Sequence, residues 1–367
     1  MSVLNTTTGT YYATLSDAIA ASAANDAIQI TAGSYVENFP NITHSLSIQS
    51  VGGLAYLTNP QPVPVNGRAI INVPGDLNVN LSIYGLAMSG AVDAADNGAG
   101  ILFESGNGHL TISNSWFYGN QDGVLVGTTT AASLTGMTVS IDHSEFSNNG
   151  VAPSNPRYGF DHNLYVNGVD ELTVTDSYFH DALGGHEIKS RALKTTIQNN
   201  RILDGPTSDT SYSIDLPNGG IGMISGNVIE KGAAAPNKYF IHFAGEGTYP
   251  ASSLEVSGNI FVNDRPAGST GVYNQSKDGD GKNIPATIKD NTLYKVGEPN
   301  LFQDNFGPPL DIVSGNLFPA GDGPVLDTSH PFNFALAVPE PATAALLPLA
   351  LLATTLVRRW RKRSRGG

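Results

Sequence analysis

Short alternations of apolar and polar residues fill most of the 367-residue chain, and a helical spacing occurs only near its start. Residues 110–114 and 172–176 are two of the alternating segments. Such alternation is typical of strands with one buried face. Near the start, Leu15, Ala18 and Ile19 fall on one face of a helix. The pattern therefore predicts one short amphipathic helix followed by many short strands.

The strand pattern repeats, and a polar turn residue follows each alternation. Successive turn residues are 23 to 33 positions apart, and they are Ser115, Ser144, Ser177, Asn200, Asn227, Asn259, Asn291 and Asn316. A repeat of about 20 to 50 residues indicates a solenoid. Strand–turn–strand units without helical periodicity indicate a parallel β-helix, in which each coil buries alternate side chains. We expect the turn residues to stack as a ladder.

The beginning of the chain carries a family resemblance. The helical segment and the following residues 26–38 look like the start of many pectin-lyase-like right-handed β-helix proteins. The resemblance covers residues 10 to 320 and implies an all-β fold, a right-handed parallel β-helix of about ten coils. Residues 1–25 would form an N-terminal cap with a short helix, and residues 26–330 the solenoid. This fold carries lyases, hydrolases, epimerases and non-enzymatic adhesins, so it does not select a function.

The last thirty residues form a separate unit of the sequence. Val338-Pro339-Glu340-Pro341 precedes an apolar run over residues 343–357, and a basic end follows. This order resembles the PEP-CTERM signal that exosortase-type enzymes read. The resemblance implies a transmembrane sorting helix at 343–357, joined to the solenoid by a linker at 331–337. The basic end would stay in the cytoplasm. After cleavage the body would reach the cell surface or the medium. An ordinary tail anchor is the alternative.

Export requires a leader, and the sequence as it begins at Met1 shows no basic n-region followed by an apolar h-region. We therefore expect the natural start to lie upstream of Met1. The chain contains no cysteine. This excludes disulfides, thiol nucleophiles and cysteine-type zinc sites.

Charge narrows the choice of partner. The chain carries a net charge of −13, and its body up to Ala337 holds 13 basic and 31 acidic residues, a net charge of −18. Such a surface repels nucleic acid and other polyanions unless cations are concentrated locally. Within the body, four cations fall in one short stretch, and they are Lys189, Arg191, Lys194 and Arg201. We expect these cations to gather on one face and to bind an acidic polysaccharide, and we expect no nucleic-acid partner.

Four short strands near this stretch carry ionisable residues at equivalent positions. Each has a central Leu or Ile that should point inward, so its neighbours should point outward. The strands are about one coil apart, and stacked coils lie about 4.8 Å apart. One predicted solvent-facing column consists of Tyr165, Lys189, Asp215 and His242. A second predicted column beside it consists of Asn163, Glu187, Ser213 and Phe240, and Arg191 should lie next to Lys189.

Two enzyme families share motifs with this region. The sequence from Tyr158 to Asn163 resembles a motif of mannuronan C5-epimerases, although its proline is absent. Glu187-Ile188-Lys189-Ser190, followed by Asn200, resembles the chondroitinase B and alginate lyase family. That resemblance implies that Lys189 is the base and that Asn163 and Glu187 are ligands of Ca²⁺. The second glutamate of the family's metal site is missing here.

Both families remove the proton next to a uronate carboxylate. That reaction requires a base and a positive charge that holds the resulting anion. We expect Lys189 and Arg191, or Ca²⁺, to supply them, and Tyr165, His162 or His186 to return a proton. The full predicted site also includes Asp215 and His242 as catalytic residues, with Asn163, Lys194 and Arg201 as substrate-binding residues.

The leading hypothesis is therefore a lyase or C5-epimerase for a uronate-containing glycan. A non-catalytic β-helix that binds or scaffolds matrix glycan is the alternative. A glycoside hydrolase is the third hypothesis. Pectinase-type hydrolases of this fold use several aspartates on adjacent strands, and the predicted column contains only Asp215. Lys189 could instead pair with Glu187 or Asp215 merely to offset surface charge, and His162 and His186 could be turn residues bonded to the backbone.

Overall fold

The computed structural model describes residues 2–61, 66, 68–75, 77–93, 97–127, 136–305 and 312–334. The first elements are β1 (Val3–Asn5), β2 (Thr10–Tyr12), α1 (Leu15–Ala21), β3 (Asp26–Val36) and β4 (Leu46–Thr58). The next strands are β5 (Ala69–Val73), β6 (Leu81–Tyr84), β7 (Leu86–Ser89), β8 (Ala99–Phe103), β9 (His109–Ser113), β10 (Trp116–Tyr118), β11 (Asp122–Val126), β12 (Thr138–Asp142), β13 (Glu145–Ser147), β14 (Leu164–Val166), β15 (Glu171–Thr175), β16 (Tyr178–His180) and β17 (Ile188–Ser190). The last are β18 (Lys194–Gln198), β19 (Arg201–Leu203), β20 (Ile214–Leu216), β21 (Ile221–Ser225), β22 (Val228–Lys231), β23 (Tyr239–Ala244), β24 (Ser253–Ser257), β25 (Ile260–Asn263), β26 (Thr270–Gln275), β27 (Ala286–Lys289), β28 (Thr292–Tyr294), β29 (Phe302–Asp304) and β30 (Ile312–Ser314), with a 3₁₀ turn at Glu298–Asn300.

The strands form three faces of a solenoid, and each complete coil contributes one strand to each face. The first face contains β6, β9, β12, β15, β18, β21, β24, β27 and β30. The second contains β7, β10, β13, β16, β19, β22, β25 and β28. The third is a separate nine-stranded sheet of β5, β8, β11, β14, β17, β20, β23, β26 and β29. The long strands β3 and β4 run through the first two faces, since β4 pairs with both β6 and β7. Pairing between successive coils is parallel, as in β17 with β20, and the predicted β-helix is confirmed.

The helix α1 closes the N-terminal end. The Thr14 hydroxyl accepts a hydrogen bond from the Asp17 N–H, and the Glu37 carboxylate accepts from the N–H groups of Leu15 and Ser16. These contacts satisfy N–H groups that a helix start leaves without partners. Leu15 and Ile19 are buried in the same apolar cluster as the first coils. The predicted capping helix is therefore present.

A ladder of polar side chains runs along the turn between the first and second faces. The backbone N–H of each ladder residue donates to the side-chain oxygen of the ladder residue in the next coil, from Ser115 to Asn316. In the asparagine part, the amide of Asn227 also donates to the Ile197 carbonyl oxygen and to Asn259. The predicted ladder is confirmed. These bonds let the chain turn inside the molecule without leaving polar groups unpaired.

The chain end described by the structure runs back over the second face. After β30, Gly323 lies close to the Tyr294 ring. Asp327 forms an ion pair with Arg201 at 3.0 Å, and His330 contacts Glu145 at 2.5 Å. Residues 317–332 therefore cross outside the coils.

The predicted sorting signal at 338–367, with its helix at 343–357, lies outside the described residues and stays a prediction. Among the helices that are described, none is long and apolar enough to cross a bilayer.

Candidate functional site

Tyr165, Lys189, Asp215 and His242 stand in one column on the outside of the third face. Parallel pairing aligns Tyr165 with Lys189, Lys189 with Asp215, and Asp215 with His242. Ile188 points into the lumen and is fully buried. The predicted column is confirmed, because strand alternation and coil stacking fix it. We expected this column to face solvent, and that part of the prediction is wrong. The exposed fractions of the Lys189, Asp215 and His242 side chains are only 12%, 3% and 7%.

Asp215 is the centre of this column. Its carboxylate lies 2.7 Å from Nδ1 of His242, 3.4 Å from Nε2 of His186 and 3.8 Å from Nζ of Lys189. Burial alone would raise the pKa of Asp215, but the hydrogen bond from His242 and the charges around it hold this pKa below its usual value. Asp215 therefore stays ionised and can orient His242, as a carboxylate orients a catalytic imidazole.

Two stacked histidines lie beside the column. The rings of His162 and His186 are 4.7 Å apart. Nδ1 of His162 accepts the His186 N–H, and Nδ1 of His186 accepts the Tyr212 N–H. Burial lowers the pKa of both rings, and the Lys189 charge lowers it further. Each ring is therefore neutral near pH 7 and carries its proton on Nε2.

Arg191 and Lys189 are held differently. Arg191 donates from Nε to the Tyr165 hydroxyl at 3.1 Å and from Nη1 to Asn218 at 2.5 Å, and it contacts Glu246 at 2.6 Å. Nζ of Lys189 lies 3.8 Å from both Asp215 and Glu246. It makes no hydrogen bond to any residue that the structure describes. The Lys189 ammonium is therefore the cation with donors left for a ligand.

The second predicted column is wrong. Asn163, Glu187, Ser213 and Phe240 are all fully buried, and Phe240 belongs to the apolar core. Asn163, Glu187 and Ser213 lie at the corner directly before β14, β17 and β20, where the chain bends and the alternation of a strand does not extend. Phe240 lies within β23, and both Phe240 and its neighbour Ile241 are buried there.

The predicted calcium ligands lie in this corner. Asn163 donates to Glu187, while its amide oxygen accepts from Asn149. Glu187 also accepts from the Ala182 N–H and the Thr210 hydroxyl, each at 3.0 Å. Ca²⁺ needs several open oxygen ligands, and these oxygens would first have to give up their bonds. The pair as arranged does not fit the ion, and no step below is routed through it.

The four cations of the basic stretch do not gather on one face. Lys194 is on the first face and pairs with Glu171 at 2.7 Å. Arg201 is on the second face, 4.6 Å above the Tyr178 ring. Only Lys189 and Arg191 share the outer side of the third face. The expectation of one cationic face is wrong because a solenoid sends sequence neighbours to different faces, and substrate binding by Asn163, Lys194 and Arg201 stays a prediction.

Several residues of the site were not predicted from the sequence. Glu246 contacts both cations, the Tyr212 ring stacks on His242 at 4.6 Å, and Gln275 lies 2.8 Å from Nε2 of His242. A surface recess of about 360 Å³ adjoins them, lined by Gly245, Glu246, Gly247, Thr248, Gln275, Lys277 and Asp278. The Gly-Glu-Gly sequence directly after β23 was the available signal, because loops after strands often carry site residues.

Comparison with known proteins agrees with this architecture. The sequence profile of the right-handed beta helix region matches residues 99–297. The chain belongs to the right-handed β-helix family. No curated protein matches this β-helix chain. The match covers the coils that carry the whole candidate site, and β-helix domains are compatible with action on polysaccharides.

Proposed function

We propose that this β-helix protein binds a uronate-containing polysaccharide on the outer side of its third face and acts there as a lyase or C5-epimerase. The observation that carries the proposal is the Lys189 ammonium, which has no hydrogen bond to the described residues and stands between Asp215 and Glu246, 5.2 Å from the Tyr165 ring centre. An anionic sugar presents a carboxylate for such a cation and a flat apolar side for such a ring.

Arg191 is the second part of the proposed anion site. Its guanidinium is fixed by Tyr165 and Asn218, so it is preorganised for a carboxylate. Proton removal at C5 places negative charge on the substrate carboxylate. Arg191 and Lys189 would stabilise that charge in a largely water-free setting, where electrostatic interactions are strong.

Two groups are candidates for the base. Lys189 is the first, and its proton could pass to the network of Asp215, His186 and His242. His242, oriented by Asp215, is the second, but Gln275 covers its Nε2 at 2.8 Å. We favour Lys189 because its Nζ makes no hydrogen bond to the described residues, and its two nearest carboxylates are 3.8 Å away. Nε2–H of His162 or His186, or the Tyr165 hydroxyl, would return a proton to O4 in elimination or to C5 in epimerisation.

The test is incubation of the full chain with a panel of polyuronates, with and without a chelator. Elimination produces an unsaturated uronate that absorbs ultraviolet light. Epimerisation in D₂O introduces deuterium at C5 without cleavage, and hydrolysis produces reducing ends without the absorbance. Either of the first two results supports the proposal, and loss of activity with chelator would indicate a required metal ion.

The same test distinguishes a non-catalytic glycan-binding protein from an enzyme. Binding to an acidic glycan that weakens with salt, without any product, would support a scaffold or glycan-binding protein. Neither binding nor turnover on any polyuronate would overturn both hypotheses. Reducing ends alone would favour the hydrolase.

The sorting signal adds a proposed location. The Pro-Glu-Pro motif, the apolar run and the basic end support export, recognition by an exosortase-type enzyme and transient anchoring in the membrane. The body would then act at the cell surface or outside the cell.

A further inference from the structure

A lysine lies fully buried inside the solenoid, away from the proposed glycan site. Nζ of Lys231 is 2.9 Å from Oδ2 of Asp204 in the preceding coil, and neither side chain is exposed at all. The same Nζ donates to the Ser211 carbonyl oxygen. A fully buried ion pair is expensive to desolvate, and replacing such a pair by apolar residues is often neutral or stabilising. Stability of the fold therefore does not explain this buried pair, and a chemical role is the alternative.

The Asp204 carboxyl group has two further contacts in this corner. The Ser213 hydroxyl lies 3.4 Å from Oδ1 of Asp204, and the Gly232 N–H donates to Oδ2 at 3.3 Å. Burial raises the pKa of Asp204, although the Lys231 charge opposes this effect.

We propose that Lys231 and Asp204 condense after folding to form an intramolecular isopeptide bond. In the low-polarity corner the ammonium first gives one proton to the Asp204 carboxylate, which leaves an amine and a carboxylic acid. Nζ then attacks Cγ of Asp204. The second amine proton passes to the departing hydroxyl, which leaves as water. One N–C bond forms, one C–O bond breaks, and one water leaves without any oxidant.

The fold supplies what this reaction needs. Nζ of Lys231 already lies 2.9 Å from Oδ2 of the carboxyl group that it attacks, and such fixed proximity replaces a very slow bimolecular encounter. The product would join two successive coils of a chain that has no cysteine for disulfides.

A competing loss of water within the sequence Asp204-Gly205 is disfavoured by the structure. Succinimide formation requires the Gly205 nitrogen to attack Cγ of Asp204. That N–H instead donates to Glu230 at 2.7 Å. The position of Asp204 therefore directs its carboxyl toward Lys231.

The test is peptide mapping of the folded full chain by mass spectrometry. Trypsin should fail to cut after Lys231 and release residues 202–238 as one peptide, lighter by one water than its sequence. Cleavage after Asp215 should leave the two halves joined. Cleavage after Lys231, with both halves at full mass, in folded protein would overturn the proposal. A water lost from the Asp204 half alone would indicate a succinimide and also overturn it.

One variant and an internal control sharpen the result. Lys231→Arg keeps the charge and should show no cross-link. The partly exposed pair of Lys289 and Glu255, 3.0 Å apart, should stay unlinked in the same digest.

Discussion

Lys189 and Arg191 occupy neighbouring outward positions, yet their surroundings prepare them for different tasks. Arg191 is fixed by Tyr165, Asn218 and Glu246, which suits a permanent positive charge. Lys189 contacts its two carboxylates only at 3.8 Å, which leaves room for a ligand and for proton exchange.

Replacing Lys189 distinguishes a role as the catalytic base from a role as a positive charge alone. We expect Lys189→Ala to lower turnover on the reactive polyuronate about 100-fold to 10,000-fold while the protein stays folded. Lys189→Arg keeps the charge and should be nearly as inactive if the amine is the base. Rates and melting temperatures are measured together, with Lys289→Ala on the first face as the control. An active Lys189→Arg protein would transfer the base role to His242.

Glu246 occupies the place that we assign to the substrate carboxylate. It bridges Arg191 and Lys189, and 53% of its side chain is exposed. Glu246→Gln should therefore lower KM for an acidic glycan about threefold to tenfold, the range expected when one partly exposed ion pair no longer competes. Glu255→Gln frees Lys289 on another face and should leave KM unchanged. A raised KM in Glu246→Gln would show that Glu246 helps to bind substrate.

His180 should make stability depend on pH. Burial alone would lower the pKa of His180, but hydrogen bonds to Asp181 and Glu145 raise it to about 9. Because this pKa exceeds the ordinary 6.5, the stabilisation is complete below about pH 6.5 and is lost as the pH rises through about 9. Urea unfolding at both ends of this window should show the loss, and His180→Gln should reduce it. The exposed His109→Gln is the control, and an equal loss in His180→Gln would contradict the assignment.

The turns between the first and second faces depend on side chains as much as on the backbone. Asn227 accepts from the N–H and the amide of Asn200, and its own amide donates to Asn259. A second ladder of Asn120, Asn149 and Asn163 lines the next corner. Neighbouring coils are thus joined by side-chain bonds in addition to strand pairing.

Asn227→Ala should destabilise the protein by about 3 kcal/mol, because it leaves several buried donors and acceptors without partners. Asn227→Ser should lose about half as much, since serine already serves this ladder at Ser144 and Ser177. Chemical denaturation of both variants measures the difference. Equal losses for alanine and serine would show that packing, not hydrogen bonding, determines the ladder's contribution.

The described part of the chain combines a solenoid closed by α1 at its N-terminal end with a later segment that runs back along the second face. Residues 317–332 contact at least three coils through the Gly323, Asp327 and His330 positions. The predicted sorting signal follows this segment in the sequence, so its removal would leave every described strand of the solenoid in place.

We expect the mature protein from its native host to end close to Pro339, because the motif, apolar run and basic end together predict cleavage and release. Mass spectrometry of the native protein should find no peptide beyond the motif. A Glu340→Ala variant, altered within the Pro-Glu-Pro motif, should keep its tail. Native protein that still carries Arg361 would remove the sorting interpretation and leave a membrane anchor.

The sequence by itself determined the repeat, the turn ladder, the capping helix and the outward column through Lys189. These features depend on local alternation and on a coil length that recurs along the chain, and both are visible in one dimension. Only the tertiary structure decided what covers and joins these residues. Glu246 reaches Lys189 from a loop more than two coils away in sequence, and Lys231 meets Asp204 only because one turn of the solenoid brings them together. The corner before each third-face strand also turned Asn163 and Glu187 inward, since a bend in the backbone cancels the alternation that holds within a strand.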